Sequence, residues 1–274
     1  MNMPTPLTDR AALLRNRARA ARNTPALFLH DAALNEVQDR LSMVNKSFTA
    51  PGIVTGWPEP WAAAFPDARI VADDDTLALE AGAHDLVIHA LCLHWANDPV
   101  GQLIQSRRAL RADGLFLCVT LGGTTLHELR ACLAEAEVEI TGGLSPRVAP
   151  MGELRDMGGL LQRAGLTLPV ADGSALTATY ADAYALMRDL RAMGEGNAMQ
   201  ARPRHMVRPA ILRRANQIYT QRLAGPDGRI PATYDLICLT GWSPDDSQPK
   251  PLRPGSAKAR LADALRTDET KLKD

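Results

Sequence analysis

The sequence predicts an α/β protein built on a mostly parallel sheet, and three observations lead to this fold class. Short apolar runs alternate with helical segments up to Gly165, which is the pattern of repeated strand–helix units. The runs at 85–91 and 115–121 are almost continuously apolar, as expected of central strands covered on both faces. After Gly165, strand segments flank a pair of helices, which predicts antiparallel C-terminal strands and a helical insertion at about 181–225.

Local signals give the individual elements. Apolar residues at helical spacing predict a helix over 31–44 with Asp31 as its N-cap. Pro58 predicts the start of a short helix that ends at Phe65, because proline suits the first turn of a helix. Strands are predicted at 52–56, 69–72, 85–91, 115–121, 166–170, 176–180 and 229–241. The other helices are predicted at 98–111, 124–138, 151–164, 181–193 and 208–223.

The composition divides the chain into three parts. Residues 1–30 form a basic N-terminal arm, residues 31–242 form the α/β domain, and residues 243–274 form a proline-rich tail with a short helix from Ser256. Arginines interrupt the arm too often for the apolar segment of a signal peptide, and we interpret it as a solvated segment or helix. An arginine-rich, acid-poor start is also found in organelle transit peptides, so that alternative stays open.

Charge and composition exclude several classes of function. Lys plus Arg and Asp plus Glu both number 31, so the formal net charge is zero, whereas binding to nucleic acid or an anionic membrane needs a basic excess. Aromatic residues make up 4% of the chain, which argues against base stacking on aromatic side chains. No apolar run is long enough to span a membrane. Cys92, Cys118, Cys132 and Cys238 lie in apolar stretches, which indicates buried thiols in a reducing, cytoplasmic setting.

Four predicted strand ends carry residues that suit a ligand, and ligands of open parallel sheets bind at the carboxyl ends of the strands. Gly122 and Gly123 follow one strand and would allow close approach of a ligand. The candidate binding residues at the other ends are Thr55, Gly56, Asp73, Asp74, His94 and Trp95. Small residues, an acid for ribose hydroxyls and an aromatic ring together suggest a nucleoside crevice. The alternative is that these are ordinary turns, which are rich in Gly and Asp in any case.

Three further residues are candidates for contacts with a substrate or partner. Arg130 and Arg147 could clamp a carboxylate or a partner's acidic groups, since arginine makes planar two-point contacts; the alternative is a surface ion pair. Tyr180 could line a substrate entrance, or it could be a half-buried core residue. Histidines recur every fifth residue around the third predicted strand and would alternate between its faces, so no metal site is assigned. No catalytic residue is assigned either.

Longer motifs resemble a known family. The stretches 93–98 (LHWAND), 104–110 (IQSRRAL), 143–148 (GLSPRV), 160–165 (LLQRAG) and 189–194 (DLRAMG) are similar to class I S-adenosylmethionine-dependent methyltransferases. More narrowly, they resemble the bacterial and mitochondrial group that includes a respiratory complex I assembly factor, with malonyl-carrier-protein methyltransferases as more distant relatives. The resemblance implies a Rossmann-like fold, S-adenosylmethionine as cofactor and a complex I subunit as protein partner. The mitochondrial member of this group hydroxylates an arginine of a complex I subunit, and the resemblance implies related chemistry as an expectation.

The chain departs from this family at the cofactor loop. Members carry a D-x-G-x-G loop after the first strand, where glycine lets the backbone approach the cofactor. Here the stretch is 53–59 (IVTGWPE), with Gly56 alone, then the bulky Trp57, then Pro58, which has no N–H to donate. We therefore expect a degenerate loop whose affinity for S-adenosylmethionine is weak or lost.

The spacing after this loop predicts a shortened sheet. Residues 57–84 leave room for one strand–helix–strand unit, which needs about 30 residues, where the family fits two further strands. The strand at 69–72 matches the family's later strand, so the missing strand is the one whose terminal acid holds the ribose. The sequence thus predicts a methyltransferase-fold protein linked to complex I biogenesis. The alternative is a non-catalytic assembly or binding factor that does not bind S-adenosylmethionine.

Overall fold

The computed structural model describes residues 6–249. The chain forms two units, Met1–Pro244 and Asp245–Asp274. Of the second unit, residues 245–249 are described, and there the Ser247 N–H donates to the Asp245 carboxylate at 2.9 Å. The helix predicted from Ser256 lies outside the described residues.

The helices and strands of the first unit follow the predicted order, except that two of the predicted strands form one. The helices are α1 (Arg10–Ala21), α2 (Phe28–Met43), α3 (Pro58–Ala64), α4 (Pro99–Ala109), α5 (His127–Thr141), α6 (Leu154–Arg163), α7 (Ala183–Ala192) and α8 (Pro209–Leu223). The strands are β1 (Pro51–Thr55), β2 (Arg69–Val71), β3 (His84–Ala90), β4 (Leu110–Leu121), β5 (Thr167–Tyr180) and β6 (Ile230–Trp242). A short 3₁₀ helix, Leu93–Trp95, follows β3.

These strands form one sheet in the order β2-β1-β3-β4-β6-β5. The pairs β1–β2, β1–β3 and β3–β4 are parallel, whereas β6 runs antiparallel to both β4 and β5. Helices α7 and α8 lie between β5 and β6 in the chain. The predicted α/β sheet, its antiparallel C-terminal strands and its helical insertion are therefore confirmed.

Alternate residues of the central strands serve two hydrophobic cores. Leu86 and Ile88 of β3 pack in a cluster with residues of α2, α5, α7 and α8. Val87, between them, packs in a second cluster with Leu103 of α4 and Leu161 of α6. Because successive side chains of a strand point to opposite faces, both faces of the sheet are covered. This explains the continuous apolar runs in the sequence.

The sheet differs from the sequence prediction at β2. In the doubly wound strand order 3-2-1-4, the second strand lies beside the first and the third lies outside it. Here β2 pairs with β1 directly, and no described strand lies outside β2. The sheet is thus shortened by its outer strand, and β2 occupies the place that we expected to be missing. Asp73, which follows β2, therefore stands where an acid would hold a ribose.

Three other predictions need correction. Asp31 is not an N-cap, because α2 begins at Phe28 and Asp31 lies within its first turn. The segments 166–170 and 176–180 are parts of a single strand, β5, which pairs with β6 through the intervening Asp172 and Gly173. The basic arm is not a solvated segment in its helical part, because Leu13 and Arg17 of α1 are buried. Helix α1 packs against the domain, with the Asp9 N–H donating to the carbonyl of Ala198 at 2.8 Å. No helix in the described range has the length and apolarity to cross a membrane.

Candidate functional site

The loop after β1 turns directly into helix α3. The hydroxyl of Thr55 accepts a hydrogen bond from the Trp57 N–H at 3.2 Å, and Pro58 is the first residue of α3. The Trp57 side chain is 5% exposed, and its indole N–H has no hydrogen-bond partner among the described residues. The indole thus points into the protein, and the loop offers no N–H from Pro58.

Asp73, at the end of β2, forms a buried ion pair with helix α1. Its two oxygens accept hydrogen bonds from Arg17 Nη1 at 2.8 and 3.0 Å, and the two side chains are 4% and 7% exposed. Arg10 donates to the same carboxylate at 3.2 and 3.3 Å. Burial alone would raise the pKa of Asp73, but the charges and hydrogen bonds of Arg17 and Arg10 outweigh it and lower the pKa to about 2. The acid is therefore fully engaged by the protein's own cations.

The guanidinium of Arg17 also covers Gly56. A Cβ atom placed on Gly56 would lie 2.7 Å from Arg17 Nε and closer still to Cζ and Nη1. Thr55, Gly56, Trp57, Asp73 and Arg17 all line one cavity of about 430 Å³. The structure brings together the residues predicted at the first two strand ends, and α1 lies over them.

Asp74 is only at the margin of this region. Its side chain is 64% exposed and lies 3.3 Å from Arg10. Its carbonyl accepts a hydrogen bond from the buried Gln102 side chain at 2.7 Å. Asp74 therefore fixes the turn after β2 through its backbone.

His94 and Trp95 meet around a carboxylate from a distant part of the chain. Glu195, just beyond α7, accepts a hydrogen bond from Trp95 Nε1 at 2.7 Å, and the same Oε2 atom lies 3.2 Å from His94 Nε2. Burial alone would raise the pKa of Glu195, but His94, the charge of Arg17 and the Trp95 N–H outweigh it and lower the pKa. Glu195 is thus held as a carboxylate, and its other oxygen has no hydrogen-bond partner in the described range.

Glu195 and Trp95 line the larger cavity, of about 490 Å³, between α1, α5 and α7. Its walls are mainly apolar, with leucine and methionine side chains of α5 and α7 and of the segments that flank them. The charged residues that line it are Glu195, Arg19, Arg147, Arg191 and Arg202. The cavity therefore combines an apolar wall, one carboxylate and several guanidinium groups.

The predicted substrate arginines are held by structural contacts. Arg147 lines the larger cavity but forms a two-point ion pair with Glu137, at 2.9 and 2.5 Å. Arg130 donates to the carbonyl of Ala149 at 3.1 Å. Both side chains also line a third cavity, of about 460 Å³, next to Leu144. These contacts fix the loop after α5.

Tyr180 is separate from both cavities. Its hydroxyl donates to Asp189 at 2.7 Å and lies 3.2 Å from the hydroxyl of Tyr234. Tyr234 is the one of this pair that lines the larger cavity. The structure does not bring Tyr180 to the site.

The glycines after β4 do not open onto a ligand space. A Cβ on Gly123 would lie 2.8 Å from Glu153 Oε2, and one on Gly122 would lie 2.8 Å from Asp235 Oδ2. These glycines therefore permit the chain's own side chains to pack closely.

The histidines around β3 have separate partners. His84 Nδ1 lies 3.0 Å from the carbonyl of Ala50, and His89 lies 3.2 Å from Gln102 Oε1. Between residues 6 and 249, no three His, Cys, Asp or Glu side chains come together in a way that could hold a metal ion.

Sequence reasoning missed the two residues that organise the site. Arg17 was one arginine among several in a basic segment, and nothing local marked it as the partner of Asp73, 56 positions away. Glu195 stands 100 positions from Trp95. Its only local signal is that it is an isolated acid between Gly194 and Gly196.

The residues at the ends of β1 and β2 do not fit S-adenosylmethionine in this structure. The space over Gly56 is filled by the Arg17 guanidinium, and the carboxylate of Asp73 accepts from two arginines. The loop has one glycine and a proline where a cofactor needs several free backbone N–H groups. A ligand in the cavity beside Gly56 would have to displace the Arg17 guanidinium to contact both this glycine and Asp73.

Comparison with known proteins gives two groups of relatives. The chain is 37% identical over 199 residues to the mitochondrial arginine-hydroxylase NDUFAF5 of Danio rerio, a match that covers 73% of this chain and 62% of the relative. It is 36% identical over 173 residues to a malonyl-[acyl-carrier protein] O-methyltransferase of Halorhodospira halophila, over 63% of this chain and 57% of the relative. These matches confirm the resemblance that the motifs indicate. No protein-family model matches the chain.

The chain spans about 60% of the length of these curated relatives. A phosphoethanolamine N-methyltransferase of Haemonchus contortus, solved with S-adenosyl-L-methionine, is 10% identical over 89% of this chain and 61% of its own, with a TM-score of 0.47. The expectation of a cytoplasmic setting is wrong, because the fish, rat and human relatives are mitochondrial by name.

Proposed function

We propose that this chain, a homologue of the methyltransferase-fold group that includes the mitochondrial arginine-hydroxylase NDUFAF5 proteins, takes part in complex I assembly by binding an arginine side chain of a protein partner. The relatives of this group act on arginine by name. In this chain, the group suited to receive a guanidinium is Glu195 in the larger cavity.

The state of Glu195 carries this proposal. Both of its hydrogen-bond contacts converge on Oε2, from Trp95 and His94. Its other oxygen can therefore accept from a ligand, and the lowered pKa keeps the carboxylate charged. A charged carboxylate and a guanidinium form strong, charge-assisted hydrogen bonds.

The rest of the cavity suits the apolar stem of an arginine. Its walls include Leu129, Leu133, Met187 and Leu190, and arginine commonly packs its methylene groups against apolar surface while its charged head finds a partner. The indole N–H of the buried Trp95 holds the carboxylate in place beside this apolar wall.

We propose further that this function does not use S-adenosylmethionine. The support for this is the ion pair between Arg17 and Asp73 together with the cover over Gly56. The relatives include O-methyltransferases by their names, and we propose that the crevice is a former cofactor site that Arg17 of α1 now covers.

A calorimetric titration with short peptides tests arginine recognition. The probes are the capped pentapeptide Ala-Ala-Arg-Ala-Ala and the same peptide with citrulline, which keeps the shape and loses the charge. A hydrogen bond to a charged group contributes about 1.5–3 kcal/mol, so we expect the citrulline peptide to bind at least tenfold more weakly. Equal affinity for the two peptides, or no binding of either, would refute the proposal.

Two variants locate the binding. Glu195→Gln keeps an oxygen for Trp95 and removes the charge, so it should abolish the preference for arginine over citrulline. Glu139→Gln is the control, since Glu139 pairs with Arg214 on the surface and does not line the cavity. Loss of preference in both variants would point to a general effect of charge.

A further inference from the structure

We infer that the mouth of the larger cavity, where the exposed residues Arg19 and Arg191 lie, recognises acidic side chains on either side of the inserted arginine. The partner segment is then an acidic peptide with a central arginine. This inference rests on the proposed function. It concerns the positive charge around the mouth of the cavity. The binding of an arginine by Glu195 does not account for that charge.

The charges of the cavity are unevenly distributed. Four arginines line it, and Glu195 is the one lining carboxylate in the described range. Two of those arginines are neutralised by other parts of the protein, since Arg147 pairs with Glu137 and Arg202 pairs with Asp9. The uneven charge is local, because the whole chain has equal numbers of acidic and basic residues.

The other two arginines, Arg19 of α1 and Arg191 of α7, are exposed. Neither forms a salt bridge within residues 6–249, and the one side-chain hydrogen bond of Arg191 goes to the carbonyl of Met187 in its own helix. They stand on two helices that pack against each other. The mouth thus presents free cations from two sides, while the carboxylate lies deeper.

The arrangement of exposed arginines around a deeper carboxylate determines which ligand can bind. A bare cation approaching the cavity would meet Arg19 and Arg191 before it reached Glu195, and like charges repel. A segment that carries acidic residues beside its arginine matches both the exposed arginines and the deeper carboxylate. Its carboxylates would contact Arg19 and Arg191, while its own guanidinium would contact Glu195. Such complementarity chiefly sets partner choice and the rate of encounter.

Three pentapeptides test the inference: Asp-Ala-Arg-Ala-Asp, Ala-Ala-Arg-Ala-Ala and Lys-Ala-Arg-Ala-Lys. Exposed ion pairs are individually weak, so we expect the Asp-flanked peptide to bind about three- to tenfold more tightly than the Ala-flanked one at low ionic strength. The advantage should fade in 0.5 M salt, where exposed charges are screened. The Lys-flanked peptide should bind weakest.

Charge-reversal variants assign the effect to the two arginines. The double variant Arg19→Glu, Arg191→Glu should lose the preference for Asp flanks and keep measurable binding of the Ala-flanked peptide. The control is Arg163→Glu, Arg213→Glu, which changes the net charge equally at exposed positions that do not line the cavity. Melting curves establish that both variants are folded, and Arg19→Gln, Arg191→Gln replaces the first variant if it is not.

The outcomes separate the two proposals. If the Ala-flanked peptide binds through Glu195 and the Asp-flanked peptide binds no better, the inference is refuted and the proposed function stands. If the Lys-flanked peptide binds best, the inference is refuted as well. If no arginine peptide binds, the proposed function fails and the inference fails with it.

Discussion

The guanidinium of Arg17 lies against the backbone of Gly56, so that a Cβ atom on this glycine would fall 2.7 Å from Arg17 Nε. The one glycine left in the loop after β1 therefore makes room for a side chain of the same protein. Since Arg17 also binds Asp73, one residue of α1 engages both strand ends where a nucleoside would lie. Helix α1 therefore supplies the residue that both covers this glycine and pairs with this acid.

The close contact predicts the effect of Gly56→Ala. The added methyl group cannot fit unless the buried Arg17 side chain shifts away from Asp73, so we expect a loss of about 1–3 kcal/mol in the free energy of unfolding. Urea denaturation of the wild type and the variant measures it. Gly159→Ala is the control, because a Cβ on Gly159 meets nothing within 4 Å and alanine in a helix should stabilise by about 0.5–1 kcal/mol. A Gly56→Ala variant as stable as the wild type would show that Arg17 does not cover this glycine.

Removal of the charge at Asp73 should destabilise the fold. In Asp73→Asn, Arg17 remains buried without its carboxylate, and breaking a buried ion pair in this way costs about 3–5 kcal/mol. The Asp74→Asn variant is the comparison, because Asp74 is 64% exposed and should change the stability by less than about 1 kcal/mol. Similar small losses in the two variants would contradict a structural role for the ion pair between α1 and β2.

The lowered pKa of Asp73 predicts an acid dependence of stability. Its pKa falls from 3.8 to about 2 on folding, so its contribution is fully present above pH 4 and is lost as the pH falls toward 2. The shift corresponds to about 2 kcal/mol. The difference in unfolding free energy between wild type and Asp73→Asn, measured at intervals from pH 5 to pH 2, should therefore shrink with acidification. A difference that stays constant over this range would show that Asp73 is not ion-paired in solution.

Arg147 offers a check on the substrate role that the sequence suggested for it. Because Arg147 pairs with Glu137, Glu137→Gln should loosen the loop after α5 and lower the melting temperature. If Arg147 serves only this loop, its replacement by alanine should destabilise the protein to a similar degree, and the double variant should cost less than the sum of the two. Additive losses, measured by the same melting curves, would show that the two residues act independently.

Patterns of short range predicted most of the fold. The continuous apolar runs gave β3 and β4, and Pro58 gave the start of α3. The single strand β5 was missed because Asp172 and Gly173 are typical turn residues, yet they lie within the ladder with β6. Whether these residues of the edge strand β5 pair depends on β6, the strand beside them. The local sequence pattern therefore does not show that they belong to a strand.

The site depends on contacts that the sequence does not display. The residues at the strand ends were predicted, since their positions follow from the strands themselves. What occupies the space between them was not, because Arg17 and Glu195 reach the site from segments far away in the chain. The single glycine of the loop is visible in the sequence, whereas the cover that Arg17 places over Gly56 follows only from the packing of α1.

Isothermal titration of S-adenosylmethionine into the full chain tests the central claim most directly. We predict no measurable binding at cofactor concentrations up to the millimolar range, because Arg17 covers Gly56 and holds Asp73. Saturable binding with a dissociation constant in the low micromolar range would contradict the closure of the crevice by α1.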